Sequence, residues 1–323
     1  MSIPDVSEKW AGAVTSVVIG ATAESGGTRG SAVTIGGASA MPFMSFDGPV
    51  GRPPAIAVEV WDAGGDTWPD PLLESYGDAM ASPGAWATKA VEFGAELICL
   101  RLAGAHPDAG NRSPEQCAQA VKEVLEAVSV PLIIWGCGID EKDNEILPAV
   151  SAAAKGENCL IGTAREKNYR TLVAVCLADK HKLMAESPLD INIAKQVNIL
   201  CSDAGYPLED IVIFPTTGAL GYGLEYVYSI QERGRLAGLG GDKLLNQPII
   251  CDVGFEAWRV KEARAPAFDC VTDETRPQWG IMWEAATAAT LLQSGGELLV
   301  MRHPQAIEYI RKTIDRLMPA KAE

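Results

Sequence analysis

Ala55-Ile56-Ala57-Val58-Glu59-Val60 is apolar but for one carboxylate and shows no polar alternation. It is too short for a helix, and the missing alternation fits a strand buried on both faces of a parallel sheet. Seven further runs of this kind follow, at 97–102, 131–135, 159–162, 182–185, 210–214, 248–253 and 297–301. Segments of helical period separate them. Ser113-Pro114-Glu115-Gln116 predicts a helix start with a capping box and proline at the first helical position. Beyond it Cys117, Val121, Val124, Leu125 and Val128 share one face. Ser82-Pro83 starts a helix that buries Trp86, Ala90 and Val91. Between 189 and 205 the stripe is Leu189, Ile193, Val197 and Leu200, with Gly205 where a C-terminal cap belongs. The last helix carries Ile307, Ile310, Ile314 and Leu317. Pro148 sits inside another helical pattern and is expected to kink or split it.

Eight strand-then-helix units with no spare strand predict an α/β fold, a (β/α)8 TIM barrel over residues 53–323. No G-x-G-x-x-G follows the first run, which argues against an open dinucleotide-binding sheet. Residues 1–52 fit no such unit. The stretches 14–20 and 32–36 read as strands joined by Glu24-Ser25-Gly26-Gly27-Thr28-Arg29-Gly30, an N-terminal β-hairpin extension. Its expected place is a plug under the barrel, the commoner fate of such extensions, or an arm that closes a mouth or reaches a partner.

The 323 residues carry 27 Lys+Arg against 42 Asp+Glu, a net charge of −15. That balance argues against a nucleic-acid or anionic-membrane surface, both of which need clustered positive charge. No stretch approaches the roughly 18 apolar residues of a membrane span. Residues 1–5 lack the basic region and apolar core that open a signal peptide. The expectation is a soluble, cytoplasmic protein. Cys99, Cys117, Cys137, Cys159, Cys176, Cys201, Cys251 and Cys270 are never closer than 16 intervening residues. Metal sites usually draw two ligands from one tight turn, so these read as small buried hydrophobes. His106, His181 and His303 are equally scattered, and no protein-built metal site is expected.

In such barrels ligands meet the loops after the strands' C-terminal ends. Glu59 and Arg101, on neighbouring strands, read either as a pair that orients a polar ligand or as an ion pair neutralising two inward charges. Gly136-Cys137-Gly138 follows the third strand. Thr216-Thr217-Gly218 begins a glycine-rich loop that opens the sixth helix, where backbone N–H groups can face an anion or an amide, or simply make a tight loop. No lysine lies in the sixth strand, where Schiff-base aldolases of this fold keep theirs. Trp61, Trp68 and Trp86 gather at the first loop, with Trp135 ending the third strand. They can pave the site of a large flat ligand, although core packing is the commoner use. The acidic stretch from Asp62 to Asp78 reads as a solvated loop or a docking surface.

Four segments resemble one family. They are Gly20-Ala21-Thr22 with Gly26-Gly27-Thr28-Arg29; Gly36-Gly37 with Ala40-Met41-Pro42-Phe43; Pro215 to Tyr226; and Gln247-Pro248-Ile249-Ile250-Cys251-Asp252-Val253-Gly254. The family is the small (delta) subunit of the corrinoid iron–sulfur protein of the acetyl-CoA decarbonylase/synthase system. The resemblance runs from about residue 10 to the end. It implies a barrel paired with a larger subunit that carries a [4Fe–4S] domain and a corrinoid-binding domain. The corrinoid (a cobalamin-type cofactor) would lie between that domain and this barrel. Its Co(I) would accept a methyl group from methyltetrahydrofolate through a separate methyltransferase and pass it to acetyl-CoA synthase, in the reductive acetyl-CoA (Wood–Ljungdahl) pathway. By strand-end position Thr216, Thr217 and Gly218 are then the expected corrinoid contacts, with Gly136 and Gly138 behind them. Glu59 and Arg101 would shape the mouth. The chain itself is expected to be non-catalytic. The alternatives are a self-sufficient pterin-dependent methyltransferase of the same barrel class, or a purely structural barrel in the complex.

Overall fold

The structure, a computed structural model, describes residues 6–264, 271–272 and 275–319. Residues 1–5 and Cys270, both read above, lie outside the described residues. The chain opens with strands β1 (Ser16–Ile19) and β2 (Val33–Gly36), an antiparallel pair with Ser16 opposite Gly36. The barrel strands are β3 (Ala55–Trp61), β4 (Leu97–Arg101), β5 (Leu132–Trp135), β6 (Leu160–Ala164), β7 (Lys182–Glu186), β8 (Ile211–Phe214), β9 (Ile249–Cys251) and β10 (Gly296–Met301). All eight are parallel and close in a ring, β10 pairing with β3 so that Met301 lies beside Val58. The predicted (β/α)8 barrel with its hairpin is what the chain forms.

Helices α1 (Asp70–Tyr76) and α2 (Pro83–Glu92) follow β3. One helix follows each of β4 to β8: α3 (Pro114–Ala127), α4 (Asp140–Ala153), α5 (Tyr169–Asp179), α6 (Ile191–Asp203) and α7 (Leu224–Leu239). Two short helices, α8 (Val253–Ala257) and α9 (Lys261–Arg264), and the long α10 (Arg276–Ser294) lie between β9 and β10, and α11 (Pro304–Leu317) ends the fold. The capping box at Ser113 forms: Gln116 N–H donates to Ser113 Oγ and Ser113 N–H to Gln116 Oε1. Two expectations are corrected. Pro148 does not split α4, which is helical throughout, because Ile146, Leu147 and Val150 are buried on both sides of it and hold the segment by packing. The buried face of α6 is Ala194, Val197, Asn198 and Cys201. Leu189 lies before the helix, partly exposed, and Asp190 is the cap that sets the phase, accepting from Asn192 and Ile193 N–H.

The barrel interior is filled by Ala55, Ala57, Leu97, Cys99, Ile133, Leu160, Met184, Val212, Ile250, Leu298 and Val300. Val17, Ile19 and Ile35 of the hairpin pack into this same cluster, so the hairpin plugs the N-terminal mouth. Backbone bonds fasten it: Gly20 N–H to Asn158 O at 2.8 Å, Thr15 N–H to Asn246 O at 2.7 Å, Gly30 N–H to Ser129 O at 2.8 Å. Arg29 donates to Glu157 and to the carbonyls of Leu125 and Val128, capping the C-terminal end of α3. Of the cysteines in the described residues, Cys137 is half-buried and the other six are buried, all free. Among the described residues no helix is long and apolar enough to cross a membrane.

Candidate functional site

Side chains two apart on a strand share a face. Ala55 and Ala57 point inward, and so does Glu59 at the end of β3; Leu97 and Cys99 are followed by Arg101 on β4. The same step carries Ile250 to Asp252, just past β9, and Val300 to Arg302, just past β10. Around the ring the order is Asp252, Arg302, Glu59, Arg101, so four neighbouring strands present alternating charges. Arg101 Nε donates to Glu59 Oε1 at 2.5 Å and Arg302 Nε to Glu59 Oε2 at 2.6 Å. Arg101 Nη2 reaches back across the mouth to Asp252 Oδ2 at 2.6 Å. Trp61 Nε1–H adds a third bond to Glu59 at 2.7 Å.

Burial raises the pKa of Glu59, but Arg101 and Arg302 outweigh it and hold the carboxyl at about 2. Burial pushes Asp252 up to about 7, against the pull of Arg101, with Glu59 adding repulsion. Burial also works against the charge of Arg101, yet Asp252 and Glu59 keep it protonated more firmly than usual. Aromatic rings roof the network. Arg101 lies between Trp135 at 4.6 Å and Phe255 at 4.4 Å from the ring centroids, and Arg302 faces Trp68 at 4.1 Å. Beneath them Glu284 fixes the Arg302 backbone, accepting its N–H at 2.6 Å together with His303 N–H and Trp258 Nε1–H. Burial pushes Glu284 up to about 7. Asp252 Oδ1, Arg302 Nη2 and Ser187 Oγ are buried without a partner.

The far side of the mouth differs. Thr163 Oγ1 donates to Glu186 at 2.5 Å, and Arg165 bridges Glu186 at 2.7 Å and Asp140 at 2.9 Å. A hollow of about 200 Å³ opens over Asp140, Arg165, Glu186 and Pro188. A Ser75–His303 contact of 3.2 Å lies near α1. His303 Nδ1 accepts Gln305 N–H and Ser75 Oγ donates to Pro71 O, so Nε2–H donates to the serine and the pair is not a base on a nucleophile.

Glu59 and Arg101 meet as a buried ion pair within a larger network. Thr217 joins them, since its Oγ1 accepts Asp252 N–H at 2.8 Å. Thr216, at φ 66°, donates Oγ1–H to Ser187 O at 2.6 Å. Gly218 is packed so that a Cβ would come within 2.8 Å of Gly223. Gly136 and Gly138 lie apart, after β5. A Cβ on Gly136 would stand 2.4 Å from the Asp143 carboxylate, which accepts Cys137 N–H and Gly138 N–H. Trp68 and Trp86 are core, 4.7 Å between centroids, and only Trp61 reaches the rim. Asp62 is corrected: it is buried, accepting Gly104 N–H at 2.8 Å and pairing with Arg112, while Asp66, Asp70, Glu74 and Asp78 are exposed. Asp252 and Arg302 stand at strand ends in the sequence and complete the charged ring. Counting in twos from Ile250 and Val300 finds both. Glu284, on an outer helix, has no such signal.

Fold and site define a (β/α)8 barrel with one plugged end and a charged, aromatic-roofed mouth. In fold it is similar to a dihydropteroate synthase from Xanthomonas albilineans (TM-score 0.55, 14% identity, 83% of this chain and 95% of that one). A second from Coxiella burnetii is equally similar (TM-score 0.55, 13% identity, 82% and 93%). The chain belongs to the CO dehydrogenase/acetyl-CoA synthase delta subunit family, whose sequence pattern matches residues 16–313. It is 36% identical to the acetyl-CoA decarbonylase/synthase complex subunit delta of Methanothermobacter thermautotrophicus, over 88% of this chain and 72% of that one. The Archaeoglobus fulgidus subunit delta is 34% identical, over 96% and 70%.

Proposed function

We propose that this chain is the smaller subunit of a heterodimeric corrinoid iron–sulfur protein, and that its C-terminal mouth shelters the corrinoid. The observation that carries this reading is the chain's membership of the delta-subunit family across nearly its whole length. The relatives are named as subunits of the acetyl-CoA decarbonylase/synthase complex, and by that analogy this chain works inside an assembly. The proposed partners are a larger corrinoid-binding subunit that also carries the [4Fe–4S] cluster, a methyltetrahydrofolate methyltransferase and acetyl-CoA synthase, in the cytoplasm and in the reductive acetyl-CoA pathway.

The mouth's chemistry fits such a group. A corrinoid is broad, flat and ringed with carboxamides. Asp252 Oδ1, Arg302 Nη2 and Ser187 Oγ are buried polar atoms awaiting partners. When bound, the corrinoid supplies the cobalt that takes and gives the methyl group. The chain's own part is to position and to keep dry. Glu59, Arg101, Asp252 and Arg302 are engaged with one another. Trp61 and Phe255, the partly buried rings at the mouth, offer faces and edges against which an apolar macrocycle rests.

Anaerobic co-purification from the native extract, with a visible spectrum, tests this. A larger partner with corrinoid and iron–sulfur absorption supports the proposal. A colourless lone chain that binds a folate would replace it with the pterin-dependent methyltransferase. Full assembly in which this chain gives the corrinoid no protection would leave a purely structural barrel.

A further inference from the structure

Buried donors and acceptors nearly always find partners, so two orphans in one network call for an explanation. Asp252 is bonded through Oδ2 to Arg101 and leaves Oδ1 unmet; Arg302 is bonded through Nε to Glu59 and leaves Nη2 unmet. The two residues follow β9 and β10, which are paired directly, Leu299 beside Cys251. Their cover is aromatic and not uniform. Trp68 is buried, and Trp61 is tied to Glu59 by its indole N–H. Phe255 is partly buried, stands on the five-residue helix α8, and makes ring contacts to Arg101, Arg302 and Arg259.

We propose that Phe255 is a movable cover over a carboxamide subsite. With its ring turned aside, a –CONH2 group donates an N–H to Asp252 Oδ1, and its oxygen accepts an N–H from Arg302 Nη2. The ligand class follows from complementarity. A free acceptor on Asp252 and free donors on Arg302 and on the Trp68 indole beside it, in a network whose charges already offset one another, select a neutral group that both donates and accepts. A carboxylate would meet Asp252 and an ammonium would meet two guanidiniums, each a repulsion in a desolvated site. The inference rests on the corrinoid reading of the mouth, since a corrinoid rim presents such amides.

The test is an acetamide titration of the full ¹⁵N-labelled chain, following the indole N–H signal of Trp61, assigned through Trp61→Phe. Acetamide should shift that signal saturably. N,N-dimethylacetamide, which has the oxygen but no N–H, should not. Phe255→Ala should bring half-saturation to about tenfold lower acetamide, as expected when a cover closed nine-tenths of the time is removed. An equal response to both amides, or no response to acetamide in wild type and variant alike, overturns the subsite. Phe255→Leu repeats the comparison should the alanine variant lose its dispersed indole signals, with a smaller gain expected and the same reversals. None of these outcomes depends on a partner. Failure of the corrinoid reading shows separately, in the co-purification.

Discussion

At the N-terminal end of the barrel Val17, Ile19 and Ile35 close the ring with apolar side chains that are all but fully buried. At the C-terminal end the same ring carries Glu59, Arg101, Asp252 and Arg302. The plug gains stability from area removed from water, and its apolar side chains carry nothing that titrates, so that gain is indifferent to pH. The charged end pays desolvation for every ion and recovers it only where each meets its opposite. One end is finished by the fold itself. The other keeps polar atoms unmet and is finished by whatever binds there.

The largest expected effect is at the charged end. Arg101→Met leaves Glu59 with one arginine and Asp252 with none, and should cost about 3–5 kcal/mol by urea denaturation at pH 7. A loss under 1 kcal/mol would mean that the network is solvated in solution. Ile19→Ala should cost about 2–4 kcal/mol at the plug. Its distinguishing mark is constancy, the same loss at pH 5 and pH 8.

The charged end should respond to pH in two opposite senses. Glu59 is held at about 2, below its ordinary 4.5, so its contribution is complete above 4.5 and is lost as pH falls through 2. Asp252 is raised from 3.8 to about 7, so it favours the folded state while protonated. That advantage is full below 3.8 and is lost as pH rises through 7. Asp252→Asn should therefore flatten the fall in stability between pH 4 and 7. An unchanged slope would assign it to Glu284, which burial raises in the same sense. Smaller still, Thr217→Val removes the acceptor of Asp252 N–H and should cost about 1 kcal/mol, with weaker corrinoid retention in the assembled complex. At the bottom of the scale is the exposed Lys312–Glu308 pair, where Lys312→Ala should leave the urea midpoint unchanged within its measurement error.

The architecture was legible because parallel strands buried on both faces leave unbroken apolar runs, and the runs around Ile56 and Ile98 could be little else. Helix ends with side-chain caps, such as Ser113, were legible for the same local reason. Pro148 misled because packing on Ile146 and Val150 outweighs a local break. The phase of α6 depends on Asp190 as its cap, which a stripe of Leu189, Ile193, Val197 and Leu200 does not reveal. At the mouth, Glu59 and Arg101 were found because charge stood inside an apolar run. Asp252 and Arg302 lie one residue beyond β9 and β10, and only the inward step of two from Ile250 and Val300 sets them in the same ring. Thr216 and Thr217 are expected corrinoid contacts by strand-end position, and within the chain their hydroxyls bond Ser187 O and Asp252 N–H.

The hairpin has a consequence for the order in which the molecule is made. Gly12 and Thr15 hydrogen-bond to Leu239 and Asn246, and Gly20 to Asn158. The Thr15–Asn246 contact spans 231 residues. Contacts so distant in the chain close late, because the loop between them must be ordered first. On the ribosome, the hairpin emerges before β8 and α7, and its seat is complete only after they have followed it. Through most of synthesis Val17, Ile19 and Ile35 are exposed, an early apolar strand pair that the cell has to keep from pairing elsewhere until the ring beneath it exists.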